Sequence, residues 1–234
     1  MDKTSIPSDS AEDQKISQSD GVASPFKILI VDDHTIVRDG MKEILADAFP
    51  SAEFGEAGDA REALDQFAAS RWDVVLLDIS LPGQSGLDLL KQIRTLQPQT
   101  SVLVLTMHPE SQYAMRALKA GAAGYMTKET AASEVVSAVK KVRAGGKYIS
   151  ARLAEKLVSY LENPPEKAPH EQLSDREFQV FKMIAMGKTV KEIGFDLALS
   201  MKTVSTYRTR VMKKMNFKTN ADVTRYALEE KLIQ

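Results

Sequence analysis

Asp73-Val74-Val75-Leu76-Leu77-Asp78-Ile79-Ser80-Leu81-Pro82-Gly83 sets the architecture of the N-terminal half. Val74 to Leu77 is a short unbroken apolar run, the pattern of a strand buried on both faces of a parallel sheet. The run stops at an acid, Asp78, and the chain then turns at Pro82-Gly83. In open α/β sheets the chemistry gathers beyond the carboxyl ends of the strands. Asp78 therefore stands where a reactive carboxylate would stand, although an acid there could equally just open a turn.

The same pattern repeats on either side. Lys27 to Val31 reads as a buried strand ending at Asp32-Asp33, followed by Ile36, Val37, Met41, Ile44 and Leu45 at helical spacing. Ala52 to Ala57 reads as a weaker edge strand and Asp59 to Ser70 as a helix. After the Asp78 strand come a helix over Ser85 to Leu96, a buried strand over Ser101 to Thr106, a short helix over Ser111 to Ala120, a last strand over Gly124 to Thr127 and a helix over Thr130 to Arg143. Five strand–helix units predict a parallel sheet with helices on both faces and, with right-handed crossovers, the flavodoxin-like order 2-1-3-4-5. Tyr148 to Glu162 reads as a linker helix with Leu153, Leu157, Val158 and Leu161 in one stripe, ended by Asn163-Pro164-Pro165. From Leu173 on the pattern is all helical. The expected organisation is a disordered tail over 1–25, an α/β domain over 26–146, a linker over 147–172 and an all-α domain over 173–234.

Composition narrows the class. The 31 basic and 32 acidic residues nearly cancel and name no partner. The absence of cysteine excludes disulfides, thiolate metal sites and cysteine nucleophiles. No apolar run is long enough to span a bilayer, and the Ser- and Asp-rich N-terminus carries no apolar signal core. A soluble cytoplasmic protein with no membrane partner is expected.

Three strand ends bring Asp32 and Asp33, Asp78, and Thr106 to one edge, and the fifth strand is followed by Lys128. Alone, each could be something simpler: a helix cap, a turn, a strand end, a surface charge. Together they form a pocket in which ionised carboxylates repel one another unless a hard cation such as Mg2+ intervenes. A carboxylate beside such a cation is suited to attack phosphorus, with Lys128 and the Thr106 hydroxyl meeting the transferred group. These residues resemble the receiver domain of bacterial two-component response regulators over about Phe26 to Gly146. The match rests on Val31-Asp32-Asp33-His34, Leu77 to Gly83 with Ser85-Gly86, Leu105-Thr106, and Gly121 to Lys128. The resemblance implies that Asp78 is the phosphoacceptor, that Asp32, Asp33, Asp78 and the backbone carbonyl of Ser80 organise Mg2+, and that Thr106, Lys128 and Tyr125 are the phosphoryl-contacting and switch residues. Glu129 departs from the proline common at that point in receivers.

The C-terminal part is basic. From Glu171 onward it carries 12 basic and 8 acidic residues, net about +4, against about −5 for the rest. Ser174-Asp175-Arg176-Glu177 is a capping box opening a helix with Phe178, Val180, Phe181, Ile184 and Met186. A short helix from Thr189, a tight turn at Ala198 to Ser200 and an acid-free basic helix from Met201 to Met215 form a helix-turn-helix pattern. Val204, Tyr207, Val211 and Met215 read as its inner stripe. This half resembles the LuxR-type helix-turn-helix of the NarL/FixJ class of response regulators, through Leu173 to Glu177, Gly187-Lys188-Thr189, Lys191-Glu192-Ile193, Leu199-Ser200 and Lys202 to Tyr207. DNA contacts are expected from Lys202, Thr203, Ser205, Thr206, Arg208, Thr209 and Lys213. The resemblance implies a dimer contact on the final helix, at Val223, Ala227 and Leu228.

The expectation is a transcription regulator and not an enzyme beyond slow self-dephosphorylation. A sensor histidine kinase would phosphorylate Asp78, and a homodimer would then bind double-stranded promoter DNA, with RNA polymerase as a further partner. A phosphatase or phosphotransferase is the main alternative. A second Asp two residues after Asp78 would favour a haloacid-dehalogenase-like enzyme, and that position is Ser80. A small-molecule sensor joined to the same DNA-binding module is a third.

Overall fold

The strand-end pattern governs the architecture. The structure, a computed structural model, describes residues 25–162 and 168–233. The expected tail (all but Pro25) and the Asn163-Pro164-Pro165 break lie outside the described residues. Strands β1 (Lys27–Val31), β2 (Glu53–Ala57), β3 (Val74–Leu77), β4 (Ser101–Thr106) and β5 (Gly124–Thr127) form one parallel sheet in the order β2-β1-β3-β4-β5. The expected order is thus the observed one. Between and after the strands lie helices α1 (Thr35–Ala48), α2 (Ala60–Ala69), α3 (Gly86–Leu96), α4 (Glu110–Lys119) and α5 (Lys128–Arg143).

Side chains alternate across the sheet with period two, so its two faces feed two cores. Ile28, Ile30, Val74, Leu76, Leu103 and Leu105 pack with α1 and α5 through Met41, Leu45, Val135 and Val139. Leu29, Val31, Val75, Leu77, Val102 and Val104 pack with α2, α3 and α4 on the other face. Ile36 falls outside its expected stripe and is 82% exposed.

Tyr148 does not begin the linker helix. It lies alongside β5, with Tyr125 N donating to Tyr148 O at 3.1 Å and Tyr148 N to Ala123 O at 2.9 Å. The helix, α6 (Ala151–Glu162), starts three residues later and buries Leu153, while Val158 faces outward. The side chain of Leu161, fourth in the expected stripe, lies outside the described residues.

A 3₁₀ turn at Pro169–Gln172 leads into α7 (Asp175–Ala185), α8 (Val190–Asp196), α9 (Met201–Met215) and α10 (Asn220–Glu229). Capping accounts for the starts. Ser174 with Glu177, Thr189 with Glu192 and Thr219 with Asp222 form reciprocal capping boxes, and Ser200 accepts from Thr203 N at 3.0 Å. Asn216, left-handed at φ 55°, ends α9. Met186 is exposed rather than core, and Met183 and Ala185 are the buried residues at that end of α7.

The second core is continuous with the helical unit. Tyr113 of α4 meets Phe178 of α7 edge-on at 5.4 Å, and the Arg116 guanidinium lies 4.1 Å above the Phe178 ring. Every residue of α7 is buried, its polar ones included.

Candidate functional site

Register brings the expected acidic groups together. Val31 pairs with Leu77 and Leu77 with Val104, so β1, β3 and β4 end side by side. Asp78 N donates to Val31 O at 2.9 Å, which fixes the acid just past its strand. Gly86 lets α3 start against it: a Cβ there would lie 2.3 Å from the Asp78 carbonyl oxygen.

Asp32 and Asp78 are each 2% exposed. The Lys128 ammonium lies 2.6 Å from Oδ2 of both. Its contact with Asp78 has hydrogen-bond geometry, whereas the one with Asp32 is an ion contact without that alignment. Burial alone would lower the Lys128 pKa, but the Asp78 and Asp32 carboxylates outweigh it and hold the ammonium above its ordinary value. The second oxygen of Asp78 accepts from Ser80 N at 2.8 Å. Asp33 stands on the rim with its side chain one-third exposed, and His34 Nδ1 lies 2.9 Å from Asp33 Oδ1 and 3.2 Å from Asp32 Oδ1.

Asp32, Asp33 and His34 present possible ligand atoms within 4.8 Å of one another. With Asp78 next to them, the oxygen donors suit a hard divalent cation such as Mg2+. The buried Asp32 Oδ2, with an ion contact but no aligned hydrogen-bond donor, is an acceptor such a cation would compensate.

Thr106 is fully buried at the end of β4, and its hydroxyl is 3.4 Å from His108 N, a long contact. Tyr125 is buried and donates its hydroxyl to His108 O at 2.9 Å. Burial pushes the Tyr125 phenol far above its usual range, so it is a donor at any ordinary pH. His108 is a site neighbour that sequence reasoning missed. Its Nε2 is 3.2 Å from Ser80 Oγ and its ring stacks on Tyr113 at 4.6 Å. Burial, with the Lys182 charge adding to it, lowers the imidazole pKa to about 4. Its place two residues past Thr106 was the available signal.

The second candidate surface is α9. Lys202, Ser205, Thr206, Thr209 and Lys213 are exposed, while Val204, Val211 and Met215 are buried beneath them. Thr203 and Arg208 are half-buried: Thr203 Oγ1 is 2.8 Å from Ser200 Oγ, and Arg208 donates to Asn220 Oδ1 at 2.9 Å. Thr206 and Thr209 donate their hydroxyl hydrogens to the carbonyls of Lys202 and Ser205, each at 3.0 Å. Toward a ligand these two hydroxyls therefore offer lone pairs. The expected dimer contacts need correction. Val223 and Ala227 are fully buried in the helical unit's own core, and of the three only Leu228 is exposed. The apolar stripe of α10 points inward.

Together, a strand-end carboxylate pocket and an exposed helix-turn-helix are the features of a DNA-binding regulator. Comparison with known proteins agrees. The family described as response regulator receiver domain matches residues 28–140, and that described as bacterial regulatory proteins, luxR family, matches residues 171–227. Response regulator UvrY of Escherichia coli O6:H1 is 37% identical over 208 residues, covering 88% of this chain and 95% of UvrY. Response regulator GacA of Pseudomonas aeruginosa is 36% identical over 209 residues, covering 89% and 98%. RcsB from Salmonella enterica serovar Typhimurium, solved bound to promoter rprA in the presence of phosphomimetic BeF3-, has a TM-score of 0.57 at 25% identity, covering 86% of this chain and 98% of RcsB. The chain belongs to the response regulators of the NarL/FixJ class, transcription factors with a receiver domain and a LuxR-type helix-turn-helix.

Proposed function

We propose that a sensor histidine kinase phosphorylates Asp78 and that this promotes dimeric binding to promoter DNA. The observation that carries the reading is the Lys128 ammonium 2.6 Å from both Asp32 and Asp78 at adjoining strand ends. An Asp78 oxygen attacks the phosphorus of a phosphohistidine, the P–N bond breaks, and the imidazole leaves with a proton. Lys128 turns from its carboxylate partners toward the phosphoryl oxygens, and the Thr106 hydroxyl donates to one of them. Asp32, Asp33, Asp78 and the Ser80 carbonyl would hold Mg2+, which when bound screens the negative charge of the phosphoryl group.

Drawing Thr106 toward the phosphoryl group removes its contact with His108 N and biases the segment that Tyr125 also holds. The switch is a shift between two receiver conformations. On DNA, α9 lies in the major groove, with Lys202 and Lys213 on phosphates and Ser205, Thr206 and Thr209 toward base edges. Thr203 and Arg208 support the helix rather than reach the bases. A dimer presents two such helices to paired half-sites, where RNA polymerase is then recruited or excluded. The chain turns over no substrate beyond slow loss of its own phosphoryl group.

Thr106→Ala tests the reading. The variant should still accept phosphate on Asp78 but lose phosphate-dependent dimerisation in light scattering. Wild-type dimerisation of the phosphorylated variant would contradict the switch.

A further inference from the structure

The peptide between Asp32 and Asp33 sets how the two carboxylates are aimed, and it lies just past the sheet. Asp32 N still donates to Ala57 O at 3.1 Å, but β2 ends at Ala57, opposite Val31. The Asp32 carbonyl therefore lies past the last ladder pair and needs a donor from elsewhere. Arg38, one turn into α1, supplies it: Nη1 donates to Asp32 O at 2.7 Å.

The rest of the guanidinium is also engaged. Nη2 donates to Thr35 Oγ1 at 3.2 Å, and Nε to Glu56 Oε2 on β2 at 3.3 Å. Glu56 is held in turn by Lys42, one turn further along α1, whose ammonium lies 2.8 Å from Oε1. These contacts pull the Glu56 carboxyl below its ordinary pKa, the Lys42 hydrogen bond most of all. One planar, forked group thus ties the end of β1, the first residue of α1 and the edge strand together. Its side chain is only 15% exposed. The Asp32 side chain is aimed from the same loop: Oδ1 accepts from His34 N at 2.9 Å, which leaves Oδ2 toward Lys128.

We infer that Arg38 is a positioning residue for the metal site, fixing the Asp32–Asp33 peptide so that both carboxylates are held ready for one Mg2+. This rests on the reading of these acids as the Mg2+ pocket that serves Asp78. Groups that orient metal ligands from outside commonly carry 10- to 100-fold in affinity. The sign of the effect separates positioning from charge. A guanidinium beside a carboxylate pocket repels an incoming cation, so by its field alone its removal would tighten Mg2+ binding. By positioning, its removal weakens binding.

The test titrates the full chain with MgCl2 and follows the amide NMR signals of residues 32–35, with no phosphoryl donor present. Arg38→Met should raise the Mg2+ concentration for half-saturation about tenfold. Arg38→Lys keeps the charge, but one ammonium cannot span Asp32 O, Thr35 Oγ1 and Glu56 together. It should weaken Mg2+ binding by a smaller factor in the same direction, where a field effect would leave it unchanged. A second readout is labelling by phosphoramidate, followed by intact mass. An Asp78 oxygen forms an O–P bond, the donor's P–N bond breaks and ammonia leaves with the proton. The Mg2+ dependence of labelling should move by the same factors. The maximal rate at saturating Mg2+ and half-saturation by phosphoramidate should stay at wild-type values, since Arg38 bonds to neither Asp78 nor the donor. Unchanged or tighter Mg2+ binding in both variants would overturn the inference, as would a lowered maximal rate with Mg2+ affinity intact. Should Arg38→Met lose its dispersed amide spectrum, Arg38→Lys decides alone. Absence of labelling in the wild-type chain would instead count against the Asp78 reading, with the Mg2+ titration still deciding the role of Arg38.

Discussion

Replacing Lys128 with methionine keeps most of the stem's packing and removes only the charge. What remains is two carboxylates, Asp32 and Asp78, each 2% exposed and both previously 2.6 Å from the same ammonium. Removing one partner of a buried ion pair costs about 3–5 kcal/mol. The lower end applies here, because the Lys128 side chain keeps 10% exposure and the Asp33 side chain 33%, so water reaches the rim. About 3 kcal/mol lowers the melting temperature of a unit of this size by roughly 10 °C. Millimolar Mg2+ restores opposite charge to the pocket and should recover most of the loss, a larger gain than wild type shows. Adding Asp32→Asn to Lys128→Met should recover stability without metal, since only one of the two carboxylates then stays charged, giving a coupling visible in a double-mutant cycle. The assay is thermal melting at pH 7 with and without Mg2+. An unchanged melting temperature, or a loss that neither Mg2+ nor Asp32→Asn repairs, would refute the electrostatic account of the pocket.

Two further outcomes follow from the helical domain. Lys202→Ala or Lys213→Ala should weaken specific and random duplexes alike and lower the salt slope by about one unit, whereas replacing Ser205, Thr206 or Thr209 should cost about 1–3 kcal/mol on the specific site alone. Titrations at several salt concentrations decide, and full discrimination in all three hydroxyl variants would place the wrong helix in the groove. Burial lowers the Lys182 ammonium to about 8, below its unfolded value of about 10.4. The folded state then binds that proton less tightly, so the native state is penalised below the folded value and the penalty fades as pH rises toward the unfolded one. Lys182→Met should therefore raise the melting temperature by a few degrees at pH 7 and by less near pH 10; an equal difference at both would show that the charge is not the cause.

Most of the receiver was legible in its sequence. Val74 to Leu77 is buried at every position, as an unbroken apolar run between strand–helix units requires of a central parallel strand. Acids at the ends of β1 and β3 converge because parallel register leaves no other place for them. Helix α9 was equally legible, since its acid-free run and the tight turn before it are local signals. The misses share a cause: periodicity shows that a face is apolar or polar, not what lies against it. The stripe of Val223 and Ala227 faces the domain's own core rather than a second copy. Arg176, Gln179 and Lys182 follow the pattern of a solvated face, yet a separate domain covers them. Asp175 finds Lys91 across 84 positions of sequence, a pairing no local pattern encodes. For His108 the sequence offered only its place two residues past Thr106, and its contact with Ser80, 28 positions away, is a product of the fold.

Everything proposed for the receiver depends on Asp78 accepting a phosphoryl group. The intact mass of wild type and Asp78→Asn after incubation with phosphoramidate and Mg2+ measures this without intermediary. Asparagine keeps the shape and removes the anionic nucleophile. The wild-type chain should gain the mass of one phosphoryl group, lose the gain when Mg2+ is chelated before the donor is added, and show none in Asp78→Asn. Labelling of Asp78→Asn at the wild-type rate and extent would contradict the assignment.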